Sequence, residues 1–457
     1  MNILPLLASA DAPSGLWSIL INWFHGGIAN FGWTILLVTI LVKLITSPLE
    51  FFVKLSTKKQ NLVQQKCSPQ IAKIKKKFGA DAQKVREQTN AIYKREGVNM
   101  GTGCIITLIN MAISLTLFFT FYGSLRTNSA YQAITQYEQL EAVYISKSQE
   151  YLISKDADIT EYEITDIASA DIFISDYNKA ININKLNKDI ETLDAEIAAA
   201  TSDEVKNAKQ EERNAKETEI NNIISGLSEE EIGRGLDRAY LETLYNKYLT
   251  ITEEATNAAA TAVVEKWNDI KSSWLWVTNI WVADATIYPF QTYKNLLEIA
   301  KSGGYSEYVE ANIDQTQYVI ISNIVNTQGG RSKNGFFILA ILAALVSFAS
   351  QYIMERTSKL KNKKASALVS QSMDGSMEMS MKIMKFIMPV TMVIFVLQSS
   401  ASFGIYILAS NISSIAFGQI SNLIVNKITK KQQLEVEEIL EKQATKLIKQ
   451  GKLQEKK

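Results

Sequence analysis

The strongest constraint on this chain is a set of five apolar runs, near residues 31–53, 103–124, 335–353, 384–399 and 401–425, that carry almost no charge. Each approaches the roughly 20 residues that a helix needs to cross a bilayer. The 47% hydrophobic content of the 457 residues is spread too unevenly for two or three soluble domains. The runs predict an all-α integral membrane protein with five transmembrane helices, since in lipid a segment must satisfy its own backbone hydrogen bonds.

The net charge of +1 is a cancellation between segments. Residues 54–96 carry 12 Lys/Arg against 3 Asp/Glu, a net +9. Residues 355–382 carry 6 against 3, and the tail from residue 427 carries 9 against 5, giving +3 and +4. Residues 127–333 carry 18 basic against 34 acidic groups, or −16. Positive charge near span ends marks the cytoplasmic side, whereas a long exported domain is free to be acidic. An N-terminus outside, five spans and a C-terminus inside put all three basic segments on one face and the acidic insert on the other. Charge runs that were merely solvated faces would not sort in this way.

Residues 1–30 read as a tail followed by an interfacial helix, because Trp17, Trp23, Phe24, Phe31 and Trp33 interleave with apolar residues. A buried core helix is the other reading. The first residues lack a basic region, so no cleaved signal peptide is expected. Ser47-Pro48 predicts the end of the first span, since proline disfavours helix at the residue before it. Residues 54–97 then form a basic cytoplasmic helical hairpin, with its turn at Phe78-Gly79-Ala80-Asp81.

The insert 127–333 reads as a large, mainly helical extracellular domain. Ile183, Leu186, Ile190, Leu193 and Ile197 keep a helical spacing, and charged, Ala-rich sequence follows to about Ala215, consistent with two antiparallel helices. Near its end Trp274, Trp276, Trp281, Tyr288 and Phe290 return the chain to the outer interface. Residues 355–382 make a cytoplasmic loop and residues 427–457 a basic cytoplasmic tail. Only a tight turn at Ser399-Ser400 separates the last two spans, so they form an antiparallel hairpin.

Cys67 and Cys104 fall at or near the cytoplasmic side and the insert contains no cysteine, so no exported disulfide framework is expected. The single histidine, His25, has no second His or Cys nearby, which argues against a metal site. There is no P-loop, no H-E-x-x-H and no paired nucleophile and base, so neither catalytic residues nor a cofactor are expected. Thr107, Asn110 and Ser114 share one face of the second span, and Asn411 and Ser414 are polar positions of the fifth. Such faces avoid lipid. They serve either as helix–helix glue, at roughly 0.6–2 kcal/mol per bond, or as the lining of a groove.

The run GIANFGWTILLVTILVKLITSPL (Gly27 to Leu49), the segment YKREGVN (Tyr93 to Asn99) with Gly103-Cys104, the run MKIMKFIMP (Met381 to Pro389) and SASFGIYILASN (Ser400 to Asn411) resemble the YidC/Oxa-type membrane protein insertases. The resemblance covers about half the chain. The family usually has arginine at the position of Lys43, proline at Ser400 and an aromatic residue at Ile407, so the groove cation here is a lysine without a bidentate fork. The resemblance implies a hydrophilic groove with Lys43 at its base and Gln351 in its lining. Thr107, Asn110, Ser114, Asn411 and Ser414 join the candidates from helical spacing.

Lys43 lies about 16 Å from either end of its span at 1.5 Å per residue, too deep to snorkel fully. A charge there costs on the order of 2.5–3.5 kcal/mol and normally faces a partner or water. Glu50 is two turns away, which makes direct contact doubtful on spacing alone. The resemblance implies an insertase and chaperone of the bacterial cell membrane, acting as a monomer on nascent membrane proteins in the lipid bilayer, alone or with a Sec translocon and ribosome. A small-solute transporter or channel is the rival reading, since polar intramembrane groups also mark solute pathways; no second copy of any span is evident. A receptor domain anchored by the spans would have no use for Lys43.

Overall fold

The computed structural model describes residues 10–79, 81–97, 100–155, 159, 162–329, 334–358 and 390–449. Among the described residues the chain is mainly helical, and its only extended pairings are isolated bridges of Trp274 with Val277 and Ala283 with Ser400. Three helices there are long and apolar enough to cross a membrane: Phe31–Phe78, Leu108–Ser154 and Ala401–Lys446. Ile338–Ser350 is a shorter apolar helix. The run expected at 384–399 lies partly outside the described residues, and 390–398 are helical. The chain divides into two units.

One unit takes Pro13–Ser129, Ser272–Ile287 and Lys333–Lys457. Its helices are α1 (Leu16–Ile28), α2 (Phe31–Phe78), α3 (Ala82–Arg95), the first part of α4 (Met100–Ser154), α12 (Ile338–Ser358), α13 (390–398) and α14 (Ala401–Lys449). Ala29 ends α1 in the left-handed region, and Asn30 caps α2 by accepting from the Trp33 N–H at 3.2 Å. Asp81 caps α3 in the same way, at 3.0 Å from the Lys84 nitrogen.

The expected break at Ser47-Pro48 does not occur: α2 continues through both Pro48 and Pro69. Each proline lacks the N–H that would bond the carbonyl four residues earlier. Ser47 Oγ donates to the freed Leu44 carbonyl at 2.9 Å, and Ser68 Oγ to that of Gln65 at 2.9 Å. A serine before each proline thus replaces the missing bond. At the other end of the chain α14 likewise runs without a break from the last apolar run into the charged tail.

The core of this unit gathers Ile21, Ile35, Val38, Leu125, Trp281, Leu339 and Phe403. Trp274 and Trp281 are buried in it, both held by the segment 272–287. Asn334 fixes that segment by donating to the carbonyls of Asn279 and Val282 at 2.9 and 3.1 Å, and Asp284 accepts from the Leu339 N–H at 3.1 Å to cap α12. Only glycine fits at position 335, where a side chain would collide with the Asp284 carboxylate.

The other unit takes Met1–Ala12, Ala130–Lys271 and Tyr288–Ser332. It comprises the later part of α4, α5 (Ile167–Ala199), α6 (Asp203–Ser225), α7 (Glu229–Gly233), α8 (Arg238–Ile270), α9 (Tyr293–Gly303), α10 (Ser306–Asn312) and α11 (Gln315–Gln328). Two cores form. One surrounds Tyr137, Trp267, Phe290 and Tyr318, the other Phe173, Ile183, Ile220 and Leu241. Antiparallel packing of α5 on α6 buries Ile183, Leu186 and Ile190, and Arg213–Asp194 (2.8 Å) and Lys209–Glu196 (3.0 Å) tie its outer end.

Asp176 is fully buried on α5, where it accepts from Arg234 Nη2 with both oxygens at 3.1 Å and from the Tyr162 hydroxyl at 3.1 Å. Burial raises its pKa against the pull of Arg234. Arg234→Ala strands the carboxylate and should cost about 3 kcal/mol at neutral pH. A carboxyl whose folded pKa is raised weakens the fold as pH climbs through that pKa, so the loss should shrink as pH falls toward 4. Thermal melts of both proteins at pH 7.5 and 4.5 check the sign; an equal deficit at the two values would be inconsistent with it.

Candidate functional site

Along α2, Lys43, Ser47, Glu50, Lys54, Lys58, Asn61 and Gln65 follow one another in steps of three and four and so share one helical face. Because α2 is continuous, this polar stripe runs unbroken from the apolar half of the helix into its charged half. Lys43 Nζ lies 3.2 Å from Glu50 Oε1, which corrects the expectation that two turns keep them apart. The rise between them is about 10.5 Å, but helical side chains lean toward the N-terminus, so Glu50 reaches back while Lys43 extends forward. Their side chains remain 24% and 26% exposed, so the pair is only partly desolvated.

Beyond this pair, Lys54 Nζ donates to the Gly418 carbonyl of α14 at 3.3 Å. A β-carbon at residue 418 would sit 3.1 Å from that ammonium, so glycine gives Lys54 room to reach the backbone. Beside the contact lies a cavity of about 270 Å³. Lys54, Lys58, Asn61 and Gln65 line it from α2, Ser350 from α12, and Ser414, Gln419 and Asn426 from α14. Two ammonium groups, several amides and no carboxylate make its described lining a host for polar or anionic chain.

The residues expected from sequence are dispersed. Ser414 lines the cavity. Asn411 Nδ2 donates to Ser347 Oγ at 2.9 Å, which makes it a bond between α14 and α12. Asn110 is half-buried and Ser114 exposed on α4. The side chains of Thr107 and Gln351 lie outside the described residues. Ser400 donates to or accepts from Ser402 at 2.6 Å and accepts from Ser129 at 3.0 Å, and Ile407 is buried in the core. Lys54, Lys58, Asn61 and Gln65 were missed as lining groups. Their spacing on the face of Lys43 was a readable signal, hidden by the assumption that the helix stopped at Pro48.

Residues 23–184 match the family model described as 60Kd inner membrane protein. That stretch holds Lys43, the whole polar stripe and α3. That stretch is similar to the YidC/Oxa family. A protein named membrane protein insertase YidC from Buchnera aphidicola subsp. Schizaphis graminum is 35% identical over 111 residues, 24% of this chain and 20% of the relative. Another of that name from Paracoccus denitrificans is 32% identical over 111 residues, covering 24% and 17%. The chain thus spans about a fifth of the length of the curated relatives that it matches. No solved structure matches it. Bacterial relatives and apolar helices together make it a multi-pass protein of a bacterial inner membrane.

The contact of Lys54 with α14 yields a direct measure. Lys54→Met and Gly418→Val should each lower the melting temperature of the detergent-solubilised protein, and the double variant should lose less than the sum by about 1 kcal/mol. Strict additivity would mean that the 3.3 Å contact carries no energy.

Proposed function

We propose that this chain is a membrane protein insertase and chaperone that works without chemistry on its clients. The observation that carries the reading is the uninterrupted polar face of α2, from Lys43 to Gln65, in a helix otherwise apolar enough to cross a membrane. Such a face gives a short hydrophilic client tail partial solvation partway into the bilayer, while the client's apolar helix moves into lipid. The names of the relatives point the same way.

In this reading Lys43 is the deepest charge of the groove, and Glu50 holds it while no client is present. An acidic client side chain competes with Glu50 for the ammonium, and Lys54 and Lys58 provide further cationic contacts along the path. Gln351, Thr107, Asn110, Ser114, Asn411 and Ser414 border the route. The partners are nascent membrane proteins and lipid, with a Sec translocon and ribosome joining for larger clients, and the working unit is a monomer. Five spans place the N-terminus and the insert outside and α3 with the tail in the cytoplasm.

Insertion of a single-span client with a short acidic N-terminal tail into liposomes holding only this protein, scored by protease protection, tests the function. Lys43→Arg should keep insertion and Lys43→Ala should reduce it severalfold. The double variant Lys43→Ala/Glu50→Gln separates the roles: it should remain defective, since it restores neutrality and not the cation. Recovery in the double variant would mean that Lys43 only balances Glu50. For orientation, a membrane-impermeant thiol reagent added outside cells should label a cysteine placed at Ser202 and not one at Gly79; the opposite pattern would invert the topology.

A further inference from the structure

The acidic unit contains a cavity of about 420 Å³ between α4, α5, α8 and α11, within the range of small-molecule sites. Tyr144, Phe173, Tyr177 and Tyr245 form much of its wall. The Tyr177 and Tyr245 rings are nearly parallel, 12° apart with centroids at 6.1 Å, and the Tyr177 hydroxyl donates to the Tyr245 carbonyl at 3.2 Å. The wall is therefore fixed in place.

The cavity borders a kink. Within α8, Tyr248 leaves helical geometry at φ −113° and ψ 15°, between the lining residues Tyr245 and Thr252. Thr252 Oγ1 donates to the carbonyls of Tyr248 at 2.8 Å and Leu249 at 2.9 Å, so side-chain bonds support the irregular turn. The kink is thus a supported feature of the helix rather than a packing fault.

The buried end of the lining is polar. Ser148 is 3% exposed and its hydroxyl lies beside that of Tyr144, and Tyr144 and Thr256 pair with each other at 3.1 Å. Three hydroxyls gathered there can donate to or accept from a ligand group. The exposed side of the lining carries Glu253 and Asn257, and no Lys, Arg or His is among the described lining residues. The surrounding insert is at −16. An anion would meet one carboxylate and no cation, so phosphates and acidic headgroups are disfavoured.

We propose that this cavity is a binding site for a compact amphiphile with an aromatic body, a hydrogen-bonding group at its buried end and a positive charge at its exposed end. The ring packs against the tyrosine wall, the buried group bonds Ser148 and the cation meets Glu253. The proposal does not depend on insertase activity. Tyramine has this arrangement, and 4-hydroxyphenylacetate has the same ring with the opposite charge.

Calorimetric titration of the full chain in nanodiscs should show saturable binding of one tyramine and none of 4-hydroxyphenylacetate. Ser148→Ala should weaken tyramine about three- to tenfold and Glu253→Gln about threefold, the effects of one hydrogen bond and one exposed charge. Thr256→Leu, which fills space beside Tyr144, should abolish binding with unchanged circular dichroism. No saturable binding to the folded protein, equal binding of the anionic analogue, or tyramine affinity untouched by Ser148→Ala and Thr256→Leu would each overturn the proposal.

Discussion

Hydrocarbon offers no donor to a backbone carbonyl, so a spanning helix that contains proline persists only if another group reaches the oxygen left behind. In α2 that group is the hydroxyl of Ser47, and Ser68 repeats the arrangement further along the same helix. The continuity of α2 depends on these two bonds. Because the helix keeps its phase through Pro48, Lys43 and Glu50 stand on the same face as Lys54, Lys58, Asn61 and Gln65. A break would have rotated the deep charges away from the cavity residues and left two unrelated polar patches.

A polar face of that length needs an apolar frame. Trp281, Phe403 and Leu339 supply part of it in the same unit, and Asn334 and Asp284 hold the segment that presents Trp281 by taking up its backbone groups and the first N–H groups of α12. The pairing of Lys43 with Glu50 lowers the cost of a charge in that frame without removing it from reach, since about a quarter of each side chain is open. The acidic unit follows a different rule: its helices are amphipathic, its two cores are built from aromatics and aliphatics, and its ion pairs lie mostly at the surface, where each contributes little.

Much of this was readable from residues alone. The apolar runs, the placement of Lys43 and the turn at Phe78 to Asp81 follow from composition and spacing, as does the 3–4 spacing that buries Ile183, Leu186 and Ile190. The errors share one cause. Proline taken alone predicts a break, and spacing along the chain does not show the hydroxyl one residue earlier turning back onto the orphaned carbonyl. Residue type likewise does not show that Trp274 and Trp281 are buried, an outcome of the segment that a distant asparagine, Asn334, holds in place.

The sequence by itself determined the class of the protein: apolar length and charge bias specify spanning helices with basic and acidic flanks, because the bilayer penalises charge by position along the chain. It also set Lys43 inside an apolar run, where a charge calls for a partner or water. The tertiary structure alone decided what that lysine touches, which polar residues border the cavity beside α14, and where a kinked helix leaves space in the acidic unit. Those outcomes depend on side-chain reach and on contacts between residues hundreds of positions apart, and periodicity along one helix carries no record of either.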